Sequence, residues 1–400
     1  MAARCAAALD RFARGPDRRT LDPMRWLGVL LLGACGFHSH ELAPFDSQGG
    51  PDTPGVHDAP ADGRPDAPPD APPDGALCYG AGILKPCLSA APTAPLDVPV
   101  GTTAISTDSG CTQVIAQTGG PEVCLLAYTN ITIEGTLEAT GARPLALLAT
   151  GSISISGEID VGSYRVGATP HAGAGEASDA LCGTPGTPGA DAAGAGGGAG
   201  GSFAGKGGDG AAGRLGAGGA GSTAVAAMGT PMVVRGGCPG GAGATGTGTG
   251  GGSGHGGGAV YLVAVGAIQI SGEILACGGG GDGGQSAAGG GGAGAGGFIG
   301  LDAPTVQVSG ILDALGGGGG EGGGMGGGAN GNSGLTATSA ALGGVYNTNG
   351  GDGGDGAFAT PDAVSGHQGN SGGGGGGGGT GAIRVFPSQT IGGTVAPPVS

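Results

Sequence analysis

Ile153-Ser154-Ile155-Ser156-Gly157-Glu158-Ile159-Asp160-Val161 alternates apolar and polar side chains with a period of two. That spacing belongs to an extended strand with one face turned inward. Ile153, Ile155, Gly157, Ile159 and Val161 fall on the inner face, and Ser154, Ser156, Glu158 and Asp160 on the outer one. The same nine-residue pattern recurs at Ile131–Ala139, Ile268–Ala276 and Val306–Ala314. A shorter apolar alternation precedes each copy: Val123, Leu125 and Ala127; Leu145, Leu147 and Ala149; Val260, Leu262 and Ala264; Ile299, Leu301 and Ala303. A fifth copy, Ile383 and Val385 followed by Ile391, closes the series. The unit reads as a two-strand corner repeated about five times.

Successive units are separated by residues 140–144, 162–259, 277–298 and 315–382. A repeating coil tolerates insertions at one corner because each turn touches only its neighbours, whereas a sandwich or barrel would have to thread the longest insertion between paired strands. The expected fold is therefore all-β, a right-handed parallel β-helix (solenoid) of about five rungs over 123–400. Of the 106 glycines, 37, 13 and 31 lie in the three long insertions. These are expected either as disordered loops or as polyglycine-II-like strands packed through backbone contacts.

The strand pattern over 123–161, 260–276, 299–314 and 383–395 resembles the rungs of haemagglutinin-type adhesins and other secreted β-helix proteins. The tracts Gly316–Gly328 and Gly372–Gly379 resemble the glycine-rich repeats of mycobacterial PGRS proteins. These resemblances imply an adhesive, matrix or envelope role.

The net charge of −16, with Lys85 and Lys206 as the only lysines, argues against a nucleic-acid partner, since phosphate binding needs clustered cations. The amino-terminal region carries a ten-residue apolar run, Trp26 to Cys35, behind Arg18, Arg19 and Arg25. It is too short to span a bilayer and reads as a signal-peptide core. Its end, Leu32-Gly33-Ala34-Cys35, resembles the bacterial lipobox, which implies that residues 1–34 are removed and Cys35 is acylated. Met24 offers an alternative start. Gly36 follows the cysteine, where the family resemblance favours the outer membrane. The implied location is the outer membrane or cell surface of a Gram-negative bacterium, with the membrane as a partner through the lipid anchor.

Residues 35–77 are rich in Asp and Pro and nearly devoid of large apolar side chains, and so read as a disordered, extended stalk. Residues 78–122 are expected to cap the first rung, with Thr112–Gln117 and Glu122–Ala127 as a hairpin around Gly119-Gly120-Pro121. Apart from Cys5 and Cys35 there are seven cysteines. Proximity suggests the pairs Cys78–Cys87, Cys111–Cys124 and Cys182–Cys238, leaving Cys277 odd.

Several motifs lack the context their chemistry requires. Gly200–Gly207, with Lys206, comes within one residue of a phosphate-binding loop but has no Ser/Thr for a metal and no following helix. Gly369-Asn370-Ser371-Gly372-Gly373 fits a nucleophile elbow by composition alone, and His367 nearby does not supply the strand–turn–helix setting. Asp209, Asp282, Asp352 and Asp355 are weak calcium candidates in glycine-rich loops. No cofactor is expected. A non-catalytic role is favoured, its partner an extracellular polysaccharide or a cell-surface protein. The rival is a carbohydrate-active β-helix enzyme, a polysaccharide lyase or hydrolase, using Glu138, Asp160 or Asp313 on the outer face. In register, Glu138 and Asp160 would stand about 4.8 Å apart.

Overall fold

The computed structural model describes residues 76–400 apart from 167–168, 178, 215–217, 335–336 and 347–348. The signal peptide, Met24, Cys35 and nearly all of the stalk lie outside the described residues.

Among the described residues strands dominate and helix is almost absent. In chain order they are β1 (Leu77–Cys78), β2 (Cys87–Leu88), β3 (Leu96–Val98), β4 (Thr102–Ser106), β5 (Gln113–Ile115), β6 (Val123–Tyr128), β7 (Ile131–Ile133) and β8 (Thr136–Thr140). Then come β9 (Leu145–Ala149), β10 (Ile153–Ile155), β11 (Glu158–Asp160), β12 (Tyr164–Val166) and β13 (Thr169–His171), followed by the one-turn helix α1 (Asp179–Cys182). The remainder are β14 (Ala259–Ala264), β15 (Ala267–Ile270), β16 (Glu273–Leu275), β17 (Phe298–Asp302), β18 (Thr305–Val308), β19 (Ile311–Asp313), β20 (Ala382–Phe386) and β21 (Thr394–Ala396).

The expected single β-helix of about five rungs is corrected by the sheet topology. The strands form three separate sheets, ordered β18-β15-β10-β7-β3, β21-β19-β16-β11-β8-β4 and β20-β17-β14-β9-β6-β5, beside the two-stranded pairs β1-β2 and β12-β13. Pairing within the three large sheets is parallel except at β5, which runs antiparallel to β6. The repeat is not a two-strand corner, because each nine-residue segment breaks in the middle. Ile153–Ile155 belongs to the first sheet and Glu158–Asp160 to the second.

The break is set by a column of glycines. A Cβ on Gly157 would lie 2.1 Å from the carbonyl oxygen of Gly135, one on Gly272 would lie 1.8 Å from that of Gly157, and one on Gly310 would lie 1.9 Å from that of Gly272. Backbones stacked this closely leave no room for a side chain. The alternation continues across the bend, so Ile153, Ile155, Ile159 and Val161 all enter one apolar cluster, which draws on all three sheets.

The third sheet is apolar on both faces, as parallel sheets covered on two sides are. Leu145, Leu147, Val260, Leu262, Ile299 and Ile383 face the shared cluster, while Val123, Leu125, Leu148, Tyr261, Val263 and Phe298 face a second one. Double-sided burial corrects one register. Leu145 pairs with Cys124 rather than with Val123, so Val123, Leu125 and Ala127 point away from the shared cluster. A period-two reading cannot separate two apolar faces.

Of the two expectations for the glycine-rich segments, the structure shows the packed one and not disordered loops: the described tracts bond to one another through the main chain with a period of three. In 289–297, the amides of Gly290, Ala293 and Gly296 donate to the carbonyls of Gly373, Gly376 and Gly379. Those of Gly289, Gly292 and Ala295 donate to Ala244, Gly241 and Cys238, and those of Gly291, Gly294 and Gly297 to Asp282, Gly279 and Ala276. Residues 372–381 repeat the rule: Gly372, Gly375, Gly378 and Gly381 donate to Gly323, Gly320, Gly317 and Ala314, while Gly373, Gly376 and Gly379 donate to Ala195, Gly198 and Gly201. A helix of three residues per turn sends successive amides in three directions, which is the polyproline II geometry with every bond made to a neighbour. The requirement for glycine is steric: a Cβ on Gly375 would sit 2.0 Å from the oxygen of Gly291, and one on Gly378 1.9 Å from that of Gly294. The lattice runs directly into the third sheet, since Phe298 donates to Gly258 and Ala382 to Gly297.

Candidate functional site

The polar side chains converge where β11 runs into the first long insertion. Asp160 ends β11, and Glu138 is its in-register partner on β8. The chain then turns into the hairpin β12-β13, which carries Tyr164 and His171 as a cross-strand pair. Their rings stack with centroids 4.4 Å apart. Tyr164 Oη donates to Glu138 Oε1 at 3.2 Å and also bonds the Asp160 carboxyl. His171 Nε2 stands 3.7 Å from the same Glu138 oxygen.

This hairpin changes the setting of the outer face. Asp160 is only 6% exposed, against the solvated position its alternation implied. Burial pushes its carboxyl up to about 7, in spite of the 2.8 Å bond that its Oδ1 accepts from the Gly162 amide. Glu158 is also raised, first by burial and then by Glu273 on the adjacent strand. Asp313 is fully buried, with Oδ2 lacking any partner and Oδ1 accepting from Leu315 at 3.1 Å, and burial raises it to about 7. It is not part of the Glu138–Asp160 pair, because Leu275 occupies the position between Asp160 and Asp313. The outer face is thus corrected for Asp160 and Asp313, which are covered, while Glu138 is half-buried.

A second pair lies next to the first. His255 Nδ1 is 2.8 Å from Glu176 Oε2, whose other oxygen accepts from the Gly256 amide at 3.0 Å. This bond holds the His255 pKa up, whereas burial pulls that of His171 down. Arg165 reaches Asp282 at 2.6 Å, yet burial outweighs the guanidinium and leaves the Asp282 carboxyl raised. Glu176 and His255 border a groove of about 1200 Å³, walled by Cys182–Pro188 on one side and Cys238–Thr245 on another.

The other sequence candidates are dispersed. Asp209 pairs with Lys206 at 3.3 Å and accepts from the Ala224 amide, Asp282 is engaged by Arg165, and Asp355 accepts from the Gly343 amide at 2.8 Å. Asp352 contributes its carbonyl to the lattice through the His367 amide. Among the described residues no group of three His, Cys, Asp or Glu side chains is placed to hold a metal. Gly200 and Gly201 are lattice residues rather than a phosphate loop. The disulfides are Cys78–Cys87, Cys111–Cys124 and Cys182–Cys238, and Cys277 is buried outside them.

Sequence reading missed Tyr164, His171, Glu176 and His255. The available signal was the short polar hairpin immediately after Asp160, at the one place where an insertion is not glycine-rich from its first residues. No family model, curated protein or solved structure matches the chain.

Proposed function

We propose that the protein is a non-catalytic structural or adhesive lipoprotein, tethered by Cys35 to the outer membrane or cell surface of a Gram-negative bacterium and held off it by the 35–77 stalk. The observation that carries this reading is the three-way backbone bonding of the glycine tracts. Such a body is stiff, buries its own polar backbone, and spends a large part of the chain on side-chain-free packing that has no catalytic use. The three disulfides among the described residues suit an oxidising, extracytoplasmic compartment. Cells lacking the protein are expected to lose surface adhesion or matrix retention, and wild-type but not C35A protein to restore it from the membrane fraction. Full restoration by soluble C35A would refute tethering, and unchanged adhesion in the deletion strain would refute the role.

The Glu138–Asp160 pair favours a second reading, cleavage of an extracellular polysaccharide. A carboxyl that keeps its proton near neutral pH beside a second, half-buried acidic side chain suits acid–base chemistry on a glycosidic polymer. Depolymerisation of neutral or acidic polysaccharide that is lost in E138Q would favour this reading over the first.

A further inference from the structure

The Cys182–Cys238 disulfide shares its buried surroundings with a cation. Arg235 is 8% exposed, and its Nη2 lies 3.3 Å from Cys182 Sγ and 3.5 Å from Cys238 Sγ. Nη1 donates to the Leu181 carbonyl at 3.2 Å and approaches Met228 Sδ at 3.3 Å, and the Phe203 ring centre is 5.6 Å from the guanidinium carbon. Every one of these neighbours is neutral. Nε has no partner, and none of the ion pairs among the described residues involves Arg235. Burial accordingly lowers its pKa. A buried cation without a counter-ion is costly, and an anion formed next to it is correspondingly stabilised. Among the described residues, the atoms in contact with it that are able to become anionic are the two sulfurs. Among the described residues no cation donates to the sulfurs of Cys78–Cys87 or Cys111–Cys124.

We propose that Cys182–Cys238 is a redox-responsive disulfide, reducible by an extracytoplasmic dithiol, whose reduced form is held by an ion pair between Arg235 and a cysteine thiolate. A thiolate of the dithiol attacks one protein sulfur, forming a mixed disulfide and expelling the other cysteine as a thiolate. The second thiolate of the dithiol then attacks its own sulfur in the mixed bond and releases the remaining cysteine. Two electrons pass from the dithiol, which leaves as a disulfide. One of its protons protonates one cysteine, the other goes to solvent, and the second cysteine stays ionised beside Arg235. Cys182 and Cys238, 6% and 2% exposed, both line the groove, which supplies the route of attack. The bond joins α1 and the 182–188 wall to the 238–245 wall, and Cys238 is held independently because its carbonyl accepts from the Ala295 amide. Reduction therefore removes the one covalent tie between the two walls at this point, leaving the 182–188 wall held by the Gly186–Thr223 main-chain bond and Cys238 by Ala295.

The test equilibrates the full chain in graded dithiothreitol buffers and reads each cysteine pair by differential alkylation and mass spectrometry. Cys182–Cys238 is expected to be reduced at an about tenfold lower ratio of reduced to oxidised dithiothreitol in the wild type than in R235M, with the other two pairs unmoved. A change under about twofold, or one in the opposite direction, overturns the proposal. Should R235M fail to fold, the alkylation rate of the reduced wild-type chain against pH decides. A Cys182 or Cys238 thiol titrating well below the usual value of about 8.5 supports the ion pair, and titration at or above that value refutes it.

Discussion

Asp160 stands beside Glu138 in a parallel ladder, and the Tyr164 phenol bonds both carboxyl groups. Tyr164 comes from a hairpin that the repeats do not predict, and burial, outweighing the bonds from the Gly162 amide and Tyr164, leaves Asp160 protonated up to about pH 7. Asp313 reaches the same value chiefly by burial, with the Glu273 charge adding to it and the bond from the Leu315 amide opposing it. Both folded pKa values exceed the ordinary value of 3.8. The folded state thus binds these protons more tightly than the unfolded chain. Their contribution is fully present below about pH 4 and is lost as pH rises to about 7.

Thermal stability of the wild type is therefore expected to fall between pH 4 and pH 7.5 through these groups, by roughly 4 kcal/mol for each. D313N removes one titration while keeping the oxygen that accepts from Leu315. Its melting temperature should vary less with pH over that window, and an identical slope in D313N and wild type would show that Asp313 is ionised when folded.

Two glycines with opposite surroundings test the lattice sterically. Gly375 has the Gly291 carbonyl oxygen 2.0 Å from where a Cβ would lie, while Gly326 has nothing within 4 Å and no positive φ. G375A should cost roughly 2–4 kcal/mol through backbone displacement, and G326A should be neutral or stabilise by about 0.5 kcal/mol by restricting the unfolded chain. Chemical denaturation of both variants measures the difference. Equal effects would mean that the tract containing Gly375 is not packed.

The amino-terminal segment is fastened by one buried carboxylate. Asp302, on β17, accepts from the Ala81 amide at 2.9 Å, the Gly82 amide at 2.8 Å and the Tyr261 hydroxyl at 3.0 Å. D302A leaves all three donors unpaired and should cost roughly 3–5 kcal/mol, with proteolysis appearing first near residues 79–86. Y261F, which removes a hydroxyl bonded to Asp302 and to the backbone at Leu84 and Ile83, should cost roughly 1–3 kcal/mol.

How much of this the chain announces depends on whether a position has a side chain to read. Ile131, Ile153, Ile268 and Val306 are aligned by their alternation, and all four fall in register in one sheet. The bend at Gly157 was hidden because the alternation passes through it unchanged. Val123 was misplaced by one residue because Leu125 and Leu126 are both apolar and both faces of β6 are covered. Glu138 and Asp160 were identified as neighbours from spacing alone, but Tyr164 and His171 reach them only through the hairpin. The lattice was the least legible part. A run such as Gly372–Gly379 carries no pattern, and the partner of each amide is set by where the sheets position the flanking chain.

The most direct measurement is amide hydrogen exchange, resolved by residue, across 289–297, 316–323 and 372–381 in the disulfide-intact protein. If the glycine tracts form a body bonded in three directions, these amides should exchange as slowly as those of β14, within the same cooperative unit. Exchange at the rate of an unstructured chain in these three tracts, with β14 still protected, would contradict the structural role proposed for them.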